Sequence, residues 1–312
     1  MLYRDFGKTG WKISAVGLGT WNLGGQWGQM SEETALRIIH KSFETGMNLI
    51  DTAEAYGTQH GLSEIRLGKA LGGRRHLTHI VSKIGHYGAR SGGKVPKNTP
   101  DMIRLCGHAI LGRLHTDWVD VMLCHEATIE DPSIYIQGFD ELVKEGHIRC
   151  YGISTNSLEV ITKFNELSGG KCAVVELDYS LLNRTSENDV LPYCKRNGIA
   201  ILVRGPVAMG LLAGKYDRTT RFTDEVRSAW HDGGERQAKL DRQLAMMEKL
   251  KQAVKPGQEM VTAAIRFTFS HPALPCSIPG ATSPEQVETN AASGARELTA
   301  DEKMRLLAAV GG

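Results

Sequence analysis

The chain has no excess of charge of either sign. Its 37 Lys and Arg stand against 35 Asp and Glu, a net of +2. That excludes the strong overall field that nucleic acid or an acidic membrane surface would need, although a local phosphate site needs only a few cations. No run of 18 apolar residues occurs, so no membrane-spanning helix is expected. The opening stretch MLYRDFGKTGWKIS lacks the apolar core of a secretory signal. The six cysteines (Cys106, Cys124, Cys150, Cys172, Cys194, Cys276) form no C-x-x-C pair and several sit in apolar runs, which reads as free buried thiols in a reducing cytoplasm. Low-complexity tracts and linkers are also missing, so residues 1–312 read as a single domain.

Familiar catalytic motifs fail as well. H-E-x-x-H has Ile129 where its second histidine belongs, and G-x-S-x-G fails at 152–156. The P-loop pattern fails because six residues separate Gly61 from Gly68 and Ala70 follows Lys69. His76 and His79 have no evident third ligand, so no metal site is expected.

What is present is a repeated alternation. Short apolar runs at 16–21, 47–53, 80–84, 118–125, 148–155, 172–179, 200–206 and 275–281 are bounded by Gly, Asn, Asp or Pro, and read as strands buried on both faces. Helical patterns lie between them at 31–46, 99–114, 132–146, 157–167 and 186–198. The first opens on Ser31 as an N-cap, has Thr34 where a full capping box would have Glu or Gln, sets Leu36, Ile39 and Phe43 on one face and stops at Gly46. Strands alternating with helices imply parallel pairing with right-handed crossovers. Eight such units predict an α/β fold, a (β/α)8 TIM barrel. Residues 1–15 predict a β-hairpin cap turning at Lys8-Thr9-Gly10, and 207–270 supplies extra C-terminal loop and helix. An open dinucleotide-binding sheet is disfavoured: Gly17-x-Gly19 is followed by Asn22 in place of the third glycine, and Asp51 lies too far on for the ribose-binding carboxylate.

In such a barrel, catalytic groups sit at the C-terminal ends of the strands. Asp51 ends the second run, with Tyr56 just beyond, Lys83 lies inside the third and His125 closes the fourth. Singly, each has an ordinary explanation as cap, packing or satisfied polar group. A lysine in an apolar strand is costly unless a carboxylate pairs with it, and Asp51 is the natural partner. Together the set describes proton transfer: Lys83, held by Asp51, lowers the pKa of the Tyr56 phenol, and His125 orients a substrate oxygen.

The runs GMNLIDTAEAYG (46–57), IVSKIG (80–85), VMLCHEA (121–127), YGIST (151–155) and IPGATSPEQVETN (278–290), in this order, resemble the aldo-keto reductase superfamily over essentially the whole chain. The resemblance is nearest to the bacterial sugar and xenobiotic reductases, close to the potassium-channel β-subunit group. It implies a nicotinamide cofactor across the barrel mouth, with Asp51, Tyr56, Lys83 and His125 as catalytic residues and Tyr56 as general acid or base. It implies cofactor contacts from Gly19, Thr20, Trp21 and Asp51, carboxamide contacts from Ser154, Thr155 and Glu176, and stacking on Tyr179. Thr155 followed by Asn156 stands where the family has Asn, and Glu176 where it has Gln. A pyrophosphate clasp is implied for Arg204, Gly205, Pro206, Val207, Gly210 and Lys215, with Arg227 on a loop that folds over it. Gly280, Thr282, Gln286 and Asn290 match the adenosine end. No Lys or Arg lies in 279–290 to grip a 2′-phosphate. Family habit leans to NADP(H), with NAD(H) the close alternative. Trp21, Trp27, Tyr56 and His125, with His86 or Tyr87, would line the substrate mouth. The implied substrate is a small-molecule aldehyde, ketone or corresponding alcohol, such as a sugar or polyol, with neither nucleic acid nor membrane as partner. The alternative is a cofactor-binding regulatory subunit of the membrane-channel type with little turnover. Oligomeric state stays open.

Overall fold

The computed structural model describes residues 1–88, 93, 95–231, 233–254 and 257–311. Ten strands and ten α-helices follow along the chain: β1 (Tyr3–Asp5), β2 (Lys12–Ser14), β3 (Leu18–Gly19), α1 (Glu32–Glu44), β4 (Leu49–Asp51), α2 (Leu62–Leu71), β5 (His79–Ile84), α3 (Pro100–Leu114), β6 (Val119–Cys124), α4 (Ser133–Lys144), β7 (Ile148–Ser154), α5 (Leu158–Leu167), β8 (Cys172–Asp178), α6 (Val190–Arg196), β9 (Ala200–Arg204), α7 (Gly234–Ala253), α8 (Met260–Phe269), β10 (Cys276–Ser277), α9 (Pro284–Ser293) and α10 (Ala300–Val310). Strands β3 to β10 pair in sequence order, each parallel to the next. Bridges Val16 to Ser277 and Gly19 to Gly280 bring the last strand back to the first. This is the expected TIM barrel, and each predicted run holds one of its strands.

Strand alternation decides what fills the barrel. Leu49, Val81, Val121, Leu123, Val174, Ala200 and Leu202 pack together inside it. Their neighbours Ile50, Ile80, Met122, Cys124, Val175, Ile201 and Val203 face outward into the larger core against the helices. The predicted hairpin forms as β1 paired antiparallel with β2. Its turn is a short 3-10 helix over Gly7–Thr9. Phe6 and Ile13 join the inner cluster, and Lys8 donates its amide to the Gly198 carbonyl at 2.7 Å. The hairpin thus plugs the N-terminal end of the barrel.

Two helix expectations shift. Ser31 Oγ does cap α1 by accepting from the Thr34 amide, but the buried face is Ala35, Ile38, Ile39 and Ser42. Leu36 and Phe43 are only partly buried, packed against the edge of the core. The predicted helix 186–198 begins only at Val190, since the Asp189 carboxylate accepts from the Val190 amide and caps it there. The long segment before β10 holds α7 and α8, as extra loop and helix were expected to.

Candidate active site

On six of the eight barrel strands the inward residue two steps beyond the filling is polar: Asp51 after Leu49, Lys83 after Val81, His125 after Leu123, Ser154 after Gly152, Glu176 after Val174 and Arg204 after Leu202. The same alternation that fills the bottom of the barrel therefore gathers charge at its top. Tyr56 joins from the loop after β4. That loop is fastened by buried Glu54, whose Oε1 accepts from the Gly85 amide at 2.8 Å and meets Lys97 Nζ at 3.3 Å. Gln26 fastens its other side, accepting from the Gly57 amide at 2.8 Å and from Trp21 Nε1 at 2.9 Å. Gly24 lies so close that an added Cβ would stand 2.5 Å from Gly57 Cα, so only glycine lets the tryptophan loop lie on the tyrosine loop.

Lys83 Nζ stands at the centre of the cluster. It donates to Asp51 Oδ1 at 2.5 Å, to the Thr52 carbonyl at 3.0 Å and to Tyr56 Oη at 3.0 Å. Glu176 Oε2 lies 3.1 Å away. Burial alone would strip the proton from Lys83, but Asp51, Glu176 and Tyr56 outweigh it and raise the ammonium above its ordinary value. Tyr56 departs from expectation. Burial pushes the phenol up, and although Lys83 pulls it down, Asp51 and Glu176 push it up further, so the net direction is upward. His125 is driven well below its usual range by burial, then by Lys83, His86 and Arg204, which leaves a neutral imidazole. Its ring meets Tyr56 edge to face at 6.2 Å and His86 at 4.8 Å. Trp21 stacks on Tyr56 at 5.9 Å and meets Trp27 edge-on at 5.0 Å.

The cluster opens into a cavity of about 1100 Å³, at the large end for a ligand site. Gly19, Trp21, Trp27, Asp51, Tyr56, His125, Ser154, Arg204, Gly205, Pro206, Val207, Gly210, Lys215, Arg227, Gly280, Thr282, Gln286 and Asn290 line it. Four expected contacts do not. Thr20 is buried and donates its hydroxyl to the Asp51 carbonyl at 2.8 Å. Thr155 donates to the Ala127 carbonyl at 2.6 Å. Glu176 faces Lys83. Tyr179 is fully buried, donates to Glu187 Oε1 at 2.6 Å and packs on Phe267. Asn156 is likewise tied to the backbone of Asp178 at both ends of its amide. Arg204 bears electrostatically on His125 and donates to Asn156 Oδ1 at 3.5 Å. Asn22, His60, Met209 and Tyr216 line the cavity without having been singled out; nothing in their local sequence marks them. Beside Gly210, Ala208 and Met209 also have positive φ, so three successive residues bend left-handed, at a cost in strain, where the backbone passes the cavity. Arg227 lies over Trp27 at 5.3 Å and over Phe222 at 4.4 Å, joining its loop to the tryptophan loop. A cavity of this volume, lined by an acid–base cluster, a strained backbone turn and the amides of Gln286 and Asn290, fits a nicotinamide dinucleotide.

Away from the cavity, His108, Glu145 and His147 bring possible ligand atoms within 4.8 Å of one another, with Arg104 already paired to Glu145. No helix among the described residues is long and apolar enough to cross a membrane.

Fold and site together define a TIM barrel equipped for acid–base chemistry beside a dinucleotide-sized cavity. The chain belongs to the aldo/keto reductase family, whose sequence model matches residues 15–310. It is similar to the aldo-keto reductase YhdN of Bacillus subtilis, at 31% identity over 92% of this chain and 87% of that one. It is similar to the NADH-specific methylglyoxal reductase of Escherichia coli, at 31% identity over 92% of this chain and 91% of that one. Among solved structures it resembles the glycerol dehydrogenase AKR11B4 of Gluconobacter oxydans, with a TM-score of 0.81, 29% identity, and coverage of 96% of this chain and 92% of that one. The family consists of oxidoreductases that use nicotinamide cofactors.

Proposed function

We propose that this protein interconverts a small oxygenated aldehyde or ketone and its alcohol, with Tyr56 as the general acid of reduction. The observation that carries this reading is the contact of 3.0 Å between Lys83 Nζ and Tyr56 Oη in a buried cluster at the floor of the cavity. The bound nicotinamide supplies or takes the hydride. Tyr56, raised by burial and its carboxylate neighbours, stays protonated through the neutral range, which is the state a general acid needs. As its proton moves to the carbonyl oxygen, the adjacent ammonium stabilises the phenolate left behind. Neutral His125 holds the carbonyl oxygen by hydrogen bonding, and Trp21 covers the site and excludes water. Trp27 and His60 line the cavity, and each keeps a buried ring nitrogen without a partner among the described residues, which suits a substrate with further oxygens. Two relatives named for methylglyoxal and glycerol support a small sugar, polyol or dicarbonyl. Free thiols at all six cysteines suit a reducing cytoplasm.

For the cofactor we favour NAD(H) over the NADP(H) to which family habit leans. The lining after β10 offers Thr282, Gln286, Thr289 and Asn290 and no Lys or Arg among the described residues. Gln286 Oε1 is already occupied by the Thr282 amide at 2.9 Å and its hydroxyl at 3.1 Å. Fluorescence titration of both cofactors decides it: a tenfold preference for NADH, ~1.4 kcal/mol, is expected, and an equal preference for NADPH overturns it. Turnover of a carbonyl panel beginning with para-nitrobenzaldehyde tests the activity. Bound cofactor with almost no turnover would favour the regulatory-subunit reading instead.

A further inference from the structure

An ammonium has three hydrogens to donate, and those of Lys83 are all engaged, by Asp51 Oδ1, the Thr52 carbonyl and Tyr56 Oη. Glu176 lies 3.1 Å from the same nitrogen, yet neither of its oxygens accepts a hydrogen bond from any described residue. Lys83 and Glu176 are wholly buried and Asp51 nearly so. Two ionised carboxylates on one ammonium would leave an uncompensated negative charge in a dry site, with two oxygens lacking donors. One added proton cancels that charge, and a carboxylic O–H on either acid donating to the other gives one of the two oxygens a partner. The neighbouring charged or titratable groups are Lys83 on β5, Tyr56 beyond β4, His125 beyond β6 and Arg204 on β9, and Ser154 on β7 pairs in register with Glu176. Of these, Lys83 alone pairs with the two acids.

We propose that Asp51 and Glu176 share one proton in the resting protein, and that Glu176 is thereby a positioning residue that sets how readily Tyr56 releases its own proton. Burial, then Glu176, hold Asp51 well above the usual carboxylate range. While the proton is shared, the charges around the phenol sum to zero. Once it leaves, a negative charge is added beside Tyr56 and the phenolate becomes harder to form. The link to Tyr56 rests on the function proposed above, whereas the shared proton does not.

The test is infrared difference spectroscopy of the full chain without substrate, comparing wild type with Glu176→Gln and with Asp51→Asn. Each variant leaves one acid alone with Lys83, so the carbonyl band of a protonated carboxylic acid should disappear in both. The Glu64 carboxyl, raised by burial to about 7, is common to all three proteins and cancels. Equal carboxylic bands in all three would overturn the proposal. The second arm is the pH profile of carbonyl reduction. Glu176→Gln should remove one ionisation and lower the tyrosine limb by about one pH unit, a tenfold change in acidity. An unmoved limb would overturn the link to Tyr56, since a merely structural loss scales the whole profile without moving it. A wild type that reduces no carbonyl at any pH would sink the proposed function, and the infrared arm would still decide the proton.

Discussion

The two ends of this barrel are made from the same strands and serve opposite purposes. At the N-terminal end Leu49, Val81, Val121, Val174 and Leu202 share one apolar cluster with Phe6 and Ile13 of the hairpin. Two residues further along the same faces, four on β6, stand Asp51, Lys83, His125, Glu176 and Arg204. Apolar filling at the bottom stabilises the fold, so the top can hold groups that would each be costly to bury alone. A shift of two residues along one strand face separates stability from chemistry.

The largest test of that division is Tyr56→Phe. It should lower carbonyl reduction by roughly 10²–10⁴-fold, the usual contribution of a positioned acid, while cofactor binding by fluorescence persists; intact turnover would refute Tyr56 as the acid. Phe6→Ala is the matching change at the other end. Phe6 is 2% exposed, so its loss should cost about 3–5 kcal/mol of unfolding free energy in a denaturant titration, with the KM of the remaining folded protein unchanged. A raised KM would show that the two ends are not independent.

A smaller effect concerns the two faces of β5. Beside inward Lys83, outward Ser82 donates to buried Glu64 at 2.6 Å, and Arg113 donates to the same carboxylate at 2.6 Å. Burial raises Glu64 from 4.5 to about 7 against the pull of Arg113 and Ser82. An acid raised in the native state contributes stability that is fully present below its unfolded value and is lost as pH rises. That contribution should fade between pH 4.5 and about 7 by about 3 kcal/mol. Glu64→Gln should flatten this slope in unfolding experiments read across that range, and an unchanged slope would place the titration elsewhere.

Much of this arrangement was legible in the chain before any coordinates. The eight strands could be read because each is a short apolar run closed by a turn former, and parallel pairing follows from the helices between them. The contact of Asp51 with Lys83 could be read because they lie on adjacent strands at matching ends. Glu176 matches a carboxamide-binding position, and its contact with Lys83 is hidden in the chain because the two stand three strands apart and only closure of the sheet brings β8 across to β5. The partners of Tyr179 and Thr155 are hidden in the same way: Glu187 and the Ala127 carbonyl, contributed by other segments, take up their hydroxyls. The upward shift of Tyr56 comes from burial and from Glu176 as well as Asp51, and neither the burial nor the second carboxylate can be inferred from the residues around Tyr56 in the chain.

The seam that closes the barrel has a consequence for how the molecule is made. The Gly17 amide bonds to the Ser277 carbonyl at 2.8 Å, the Ser277 amide to the Ala15 carbonyl at 3.0 Å, and the Leu2 amide to the Gly294 carbonyl at 2.7 Å. During synthesis the first strand therefore leaves the ribosome long before its partner exists. Until then it is an unpaired edge, open to mispairing or to a chaperone. Final assembly of the barrel is a late event that waits on translation of its closing strand.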